Sequence, residues 1–172
     1  MIKIIITIIV SILLALGEVS LLWSLPYPMN LATMVLPVLI FLIIRQRQQT
    51  AWIYIITGGL IFDVFSFTPI GLNIAFLAAL YLLGRTLYLN YLANRTFTSI
   101  FFLTIALIVP FEIFNHLFEA VSYGLAYLVN IDELRIIGIS ALMNLTFILA
   151  IYWILRIIMR MFKIKIFAYE RV

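Results

Sequence analysis

The chain contains no cysteine, which excludes disulfides, thiolate zinc sites, iron–sulfur clusters and cysteine nucleophiles. Charge is almost as scarce: Asp, Glu, Lys and Arg make up 10% of the 172 residues, against about 25% in soluble domains. A single histidine, His116, rules out the His-Glu-x-x-His zinc signature. Asp63 is the one aspartate inside an apolar run, so paired intramembrane aspartates are excluded, and no Gly-rich phosphate loop is present. The basic residues are not interleaved with aromatics as a nucleic-acid surface requires. No catalytic set, cofactor site or metal site is therefore expected, and the chain reads as a non-enzyme without a nucleic-acid partner.

What is present is apolar. Ala, Val, Ile, Leu, Met, Phe, Trp and Tyr supply 66% of the residues, and the mean hydropathy is +1.24. A soluble domain of this size could not hide that much apolar surface, because small domains leave a large fraction of their area exposed. The chain is expected to be an all-α integral membrane protein, residues 1–172 forming one polytopic domain. The continuous apolar runs lack the alternation of barrel strands. At about 20 residues per span, six helices fit, at about 4–22, 29–44, 51–67, 72–91, 98–123 and 136–158, followed by a basic tail over 159–172.

The Lys and Arg positions orient these spans. With the N-terminus inside, Lys3, Arg45, Arg47, Arg85, Arg95, Arg156, Arg160, Lys163, Lys165 and Arg171 all fall on the cytoplasmic side. Only Arg135 falls outside, beside Asp132 and Glu133. Both termini are thus expected inside, and the +4 net charge becomes a bias toward the inner leaflet. Lys3, the run from Ile4 and Ala15-x-Gly17 also have the outline of a cleavable signal peptide. The loop that follows is too short and apolar to begin a secreted domain, so the first helix is expected to be retained. In the tail, Arg156, Arg160, Lys163 and Lys165 suit contact with inner-leaflet lipid, or an ordinary stop-transfer flank.

Ionisable residues inside spans are costly and mark function or a polar network. Asp63 lies 12 residues beyond Ala51, about 18 Å along a helix, in the outer half. Glu18, Asn73 and Asn144 favour the same side. On the fifth helix Glu112, Asn115, His116, Glu119 and Tyr123 share one face, just after Pro110. Three readings remain open for this stripe: a structural network with Asp63, Glu18 or Asn144; a contact for a partner helix or ligand head group; or chemistry by metal or proton relay.

The most structured segment is Gly58-Gly59-Leu60-Ile61-Phe62-Asp63-Val64-Phe65-Ser66-Phe67-Thr68-Pro69-Ile70-Gly71-Leu72-Asn73. Two glycines allow close helix approach, and Thr68-Pro69-Ile70-Gly71 makes a tight reversal. Asp63 is expected to pin the resulting hairpin through amides of the turn, with Asn73 or Thr68 capping the new helix. Gly71, Ala75 and Ala79 continue as a small-residue ladder, expected to pack within the fold.

These features together resemble the bacterial rod shape-determining protein MreD family. The resemblance covers nearly the whole chain: the proline-bearing turn Leu25-Pro26-Tyr27-Pro28, Pro37 in the second helix, and the string Gly59…Asp63…Ser66 with Pro69-Ile70-Gly71. Asn144 in the last helix and the basic end complete it. It implies an inner-membrane component of the cell-elongation machinery, acting with MreC, MreB and the RodA–transpeptidase synthase and having no chemistry of its own. The family is also similar in outline to the solute-binding S-components of energy-coupling-factor transporters, the alternative reading. S-components present a small-x-x-x-small face on the first helix to their partner, which Ser11-x-x-x-Ala15 matches loosely. The acidic–histidine stripe is not part of the family pattern.

Overall fold

The computed structural model describes residues 2–22, 24–66, 68–91, 97–123 and 131–161, all of whose regular structure is helical. The helices are α1 (Ile2–Gly17), α2 (Val35–Ile44), α3 (Gln48–Phe65), α4 (Leu72–Tyr91), α5 (Phe97–Tyr123) and α6 (Ile131–Met161). A π-helical turn, Glu18–Leu22, extends α1, and a 3-10 turn, Met29–Leu31, precedes α2. Four segments among the described residues are long and apolar enough to cross a bilayer: Ile4–Leu22, Leu72–Tyr91, Phe101–Phe118 and Arg135–Ile154.

The outer surface bears this out. Ile2, Leu13, Leu21, Val64, Ile70, Leu142 and Trp153 are among many large apolar side chains left exposed. In water such contiguous surface would drive association; against lipid it costs nothing. The chain is a membrane protein.

The second expected span is shorter than the apolar run that encodes it. Residues 32–34 leave the helix, and α2 keeps only ten residues, about 15 Å at 1.5 Å per residue. Pro37 contributes to this start: it is the third residue of α2, in the first turn, where a missing N–H removes no helical bond. The third run, too, reaches the length of a span with a polar beginning at Gln48 and Gln49 and Asp63 near its end.

Helix α2 is nevertheless the centre of the bundle. It meets α3, α4, α5 and α6, and seven of its residues are buried, Leu36 and Leu39 completely. Around it α1 packs on α3, α3 on α4, α4 on α5 and α5 on α6. The α4–α5 seam is aromatic: Phe76 stacks on Phe114 with ring centroids 3.6 Å apart, and Phe111 lies tilted 5.9 Å from Phe76.

Of the adjacent glycines, only one provides the close approach. A Cβ on Gly59 would stand 2.7 Å from Ile74 Cγ1 and 2.9 Å from the Ile74 Cα, so the backbones of α3 and α4 approach closely there. On Gly58 the nearest atom would be 3.8 Å away, ordinary contact with the Tyr54 ring. Gly59→Ala should therefore destabilise the purified protein by about 1–3 kcal/mol through overpacking. Gly58→Ala should be neutral or stabilising by up to about 1 kcal/mol through helix propensity. Thermal unfolding of the two variants in detergent checks the contrast; equal melting temperatures would refute it.

The small-residue ladder does not pack as expected. Ala75 and Ala79 are exposed, and Gly71 has nothing within 4 Å of a Cβ position. The reason is rotational: Gly59 docks beside Ile74, and Leu77, Leu80 and Tyr81 face the core, which turns the ladder outward.

Candidate functional site

Two polar assemblies lie at the same end of the bundle. The first is local. Asp63, 1% exposed, ends α3 with its carboxylate directed at the following turn. Its Oδ2 accepts the Gly71 N–H at 2.7 Å, and its Oδ1 accepts the Asn73 N–H at 2.9 Å and the Thr68 hydroxyl at 3.0 Å. The Asn73 Nδ2 donates to Thr68 Oγ1 at 3.0 Å, closing the ring of contacts. Leu72 N–H bonds to Pro69 C=O, and Gly71 takes φ +97°, a conformation glycine adopts without strain. Asp63 thus pins the hairpin and caps α4. Asn73 and Thr68 do not cap it with their own side chains; they brace one another beside the carboxylate. Ser66, also in the motif, is exposed and forms the end of α3, and Pro69 is exposed in the turn.

The second assembly joins four parts of the chain. Glu112 on α5 accepts the Ser140 hydroxyl and the Asn144 amide, both at 2.8 Å and both from α6. Asn144 Oδ1 in turn accepts the Thr33 N–H at 2.8 Å, and its Nδ2 reaches the Leu31 carbonyl at 3.4 Å. The Thr33 hydroxyl donates to Glu18 Oε1 and accepts the Val35 N–H at 3.1 Å. Glu18 Oε2 accepts the Met34 N–H at 3.2 Å. The amides left open where residues 32–34 depart from the helix are therefore satisfied by side chains of α1 and α6. An unpaired amide here would cost several kcal/mol, since hydrocarbon offers no substitute. Glu18, Thr33, Glu112, Ser140 and Asn144 are all buried.

Of the three readings of the α5 stripe, the network is what the contacts display for Glu112. Its partners are Asn144 and, through Thr33, Glu18. Asp63 bonds within its own hairpin instead. Asn115 and His116 line, together with Glu112, a cavity of about 700 Å³. The side chains of Glu119, Arg156 and Arg160 and the positions Lys163 and Lys165 lie outside the described residues. No group of three or more metal-ligating side chains occurs among the described residues.

The cavity opens between the two assemblies. Glu18, Asn30, Thr33, Glu112 and Ser140 line it with Thr68 and Asn73 of the hairpin, and Phe62, Phe76, Phe111, Phe114 and Phe118 supply an aromatic wall. Its volume is in the range of small-molecule sites. Arg45, Arg47 and Arg85 belong to the opposite end, where the turn after α2 meets the last part of α4.

Three residues of this region were not legible as site residues. Thr33 precedes α2 with its hydroxyl on the amide two residues on, a local pattern Ser and Thr favour. Ser140 lies four residues before Asn144, on the same helical face, and that spacing was the available signal. Asn30 has no such signal; only folding brings it to the cavity.

No protein-family model, curated protein or solved structure matches this chain.

Proposed function

We propose that this protein is a non-enzymatic scaffold of the bacterial cell-elongation complex, a multi-pass inner-membrane protein similar to the MreD family. In this reading it supports rod shape and lateral peptidoglycan synthesis through contacts with MreC and other elongation proteins. The observation that carries it is the hairpin. Gly59, Asp63 and Gly71, residues of the resemblance, form one physical unit with Asn73: a close approach, a carboxylate clasp and the turn it holds. Six spans with both termini inside remain the topology that the charge bias supports. The outward-turned face of Gly71, Ala75 and Ala79 suits a partner's transmembrane helix, since small residues permit close approach.

Depleting the protein in its rod-shaped host should convert rods into spheres. Unchanged cell shape at full depletion would sink the scaffold reading.

The second reading, a solute-binding subunit like the S-components, is favoured by the cavity of about 700 Å³ with its polar and aromatic lining. Against its transporter half, Ser11 and Ala15 are 3% and 1% exposed, so the small face of α1 is occupied within this chain.

A further inference from the structure

The ionisable side chains that line the cavity are two carboxyls and the imidazole of His116. Two buried carboxyl side chains reach it, Glu18 from α1 and Glu112 from α5, and no Lys or Arg side chain lines it among the described residues. Asn30 Oδ1 is buried and meets no hydrogen-bond donor among the described residues, although Asn30 lines the same chamber. An unmet buried acceptor is destabilising, and a donor supplied from the chamber would relieve that cost. The lining also carries Phe76, Phe111 and Phe114, which offer apolar surface and, at ring faces left open by the Phe76–Phe114 stack, an attraction for cations.

From this we infer that the cavity binds a small organic cation, an ammonium group carried on an apolar or aromatic body. The ammonium faces the Glu18–Asn30–Glu112 side and the body lies along the phenylalanines. An anionic ligand, such as a phosphate or carboxylate, would meet two carboxyl groups and no Lys or Arg. The inference rests on the solute-binding reading of the cavity and is independent of the scaffold reading. A cavity inside the membrane can draw an ammonium from a free solute or from an aminophospholipid head group, and the chemistry is the same for both.

The test compares three probes of similar size on the full chain in detergent: phenethylammonium, 2-phenylethanol and 3-phenylpropionate. Phenethylammonium should raise the melting temperature saturably while the other two do not. Glu112→Gln keeps an oxygen for Ser140 and Asn144 but removes the charge, and should weaken the ammonium probe by about tenfold, one charge-assisted contact. Asn30→Leu should leave the free protein as stable as before or more so, yet reduce the response to phenethylammonium several-fold. Repeating the titration in phosphatidylglycerol nanodiscs with and without phosphatidylethanolamine separates the sources. Suppression by the aminophospholipid assigns the site to its head group, and an unchanged response assigns it to a free solute; both support the ammonium class. A larger shift with the alcohol or the carboxylate would overturn that class while leaving a binding chamber. Equal shifts with all three, or none with any, would overturn the chamber as well.

Discussion

Asp63→Ala should lower the melting temperature of the detergent-purified protein more than truncation of any other polar side chain on the hairpin. The carboxylate accepts three hydrogen bonds, two from backbone amides. Bonds to a charged group contribute about 1.5–3 kcal/mol each, and a buried amide deprived of its acceptor costs about 1–3 kcal/mol. Discounting for overlap between these terms, the loss should be about 3–6 kcal/mol, on the order of 10 °C for a chain of this size. Asp63→Asn keeps two acceptor lone pairs on one oxygen but turns the other position into a donor facing an N–H, so it should recover less than half. Thr68→Val, which removes one of the three bonds, should cost only about 1–2 kcal/mol. An Asp63→Ala protein that melts with the wild type would show that the clasp does not hold the hairpin, and would move Asp63 from structure to function.

The second large effect is expected at Asn144, whose amide bridges α6 to both the α2 entry and α5. Asn144→Ala orphans the buried Thr33 N–H and strips a donor from Glu112, a loss of about 2–5 kcal/mol. Asn144→Asp should be at least as damaging, because it keeps the acceptor for Thr33 but sets a second carboxyl beside Glu112 where a donor stood. Combining it with Glu112→Gln reverses the direction of the pair: the new amide donates and the new carboxylate accepts. The double variant should be more stable than Asn144→Asp alone, with a coupling energy of about 1–3 kcal/mol in a double-mutant cycle. Strict additivity of the two single effects would refute the compensation expected across the 2.8 Å contact.

The residues of these two predictions differ in how far the sequence could reach them. Asp63, Thr68, Gly71 and Asn73 lie within ten positions of one another, and the turn chemistry of Pro and Gly places them together whatever the rest of the chain does. Asn144 and Thr33 are 111 positions apart, and no local rule pairs them. Asn144 was legible as a polar residue within a span, but its role as the acceptor for an unwound segment was not, because the apolar run from Met29 gives no sign of unwinding. The outward turn of Ala75 and Ala79 was hidden for a related reason: their spacing is the same whichever way the helix is rotated.

The sequence by itself determined that this is an all-helical membrane protein, where its helices begin and end to within a few residues in most cases, and how the α3–α4 hairpin is clasped. Those properties follow from composition, from run length and from contacts within a few turns of chain. The tertiary structure alone decided that the shortest apolar helix, α2, sits at the centre, that α1 packs on α3, and that a cavity lined by polar and aromatic side chains separates two polar assemblies. In a soluble protein the polar face of each helix would have announced much of this. Here lipid and core are equally apolar, so hydrophobicity cannot tell an inward face from an outward one. The choice falls to packing and to the few polar groups that must find partners.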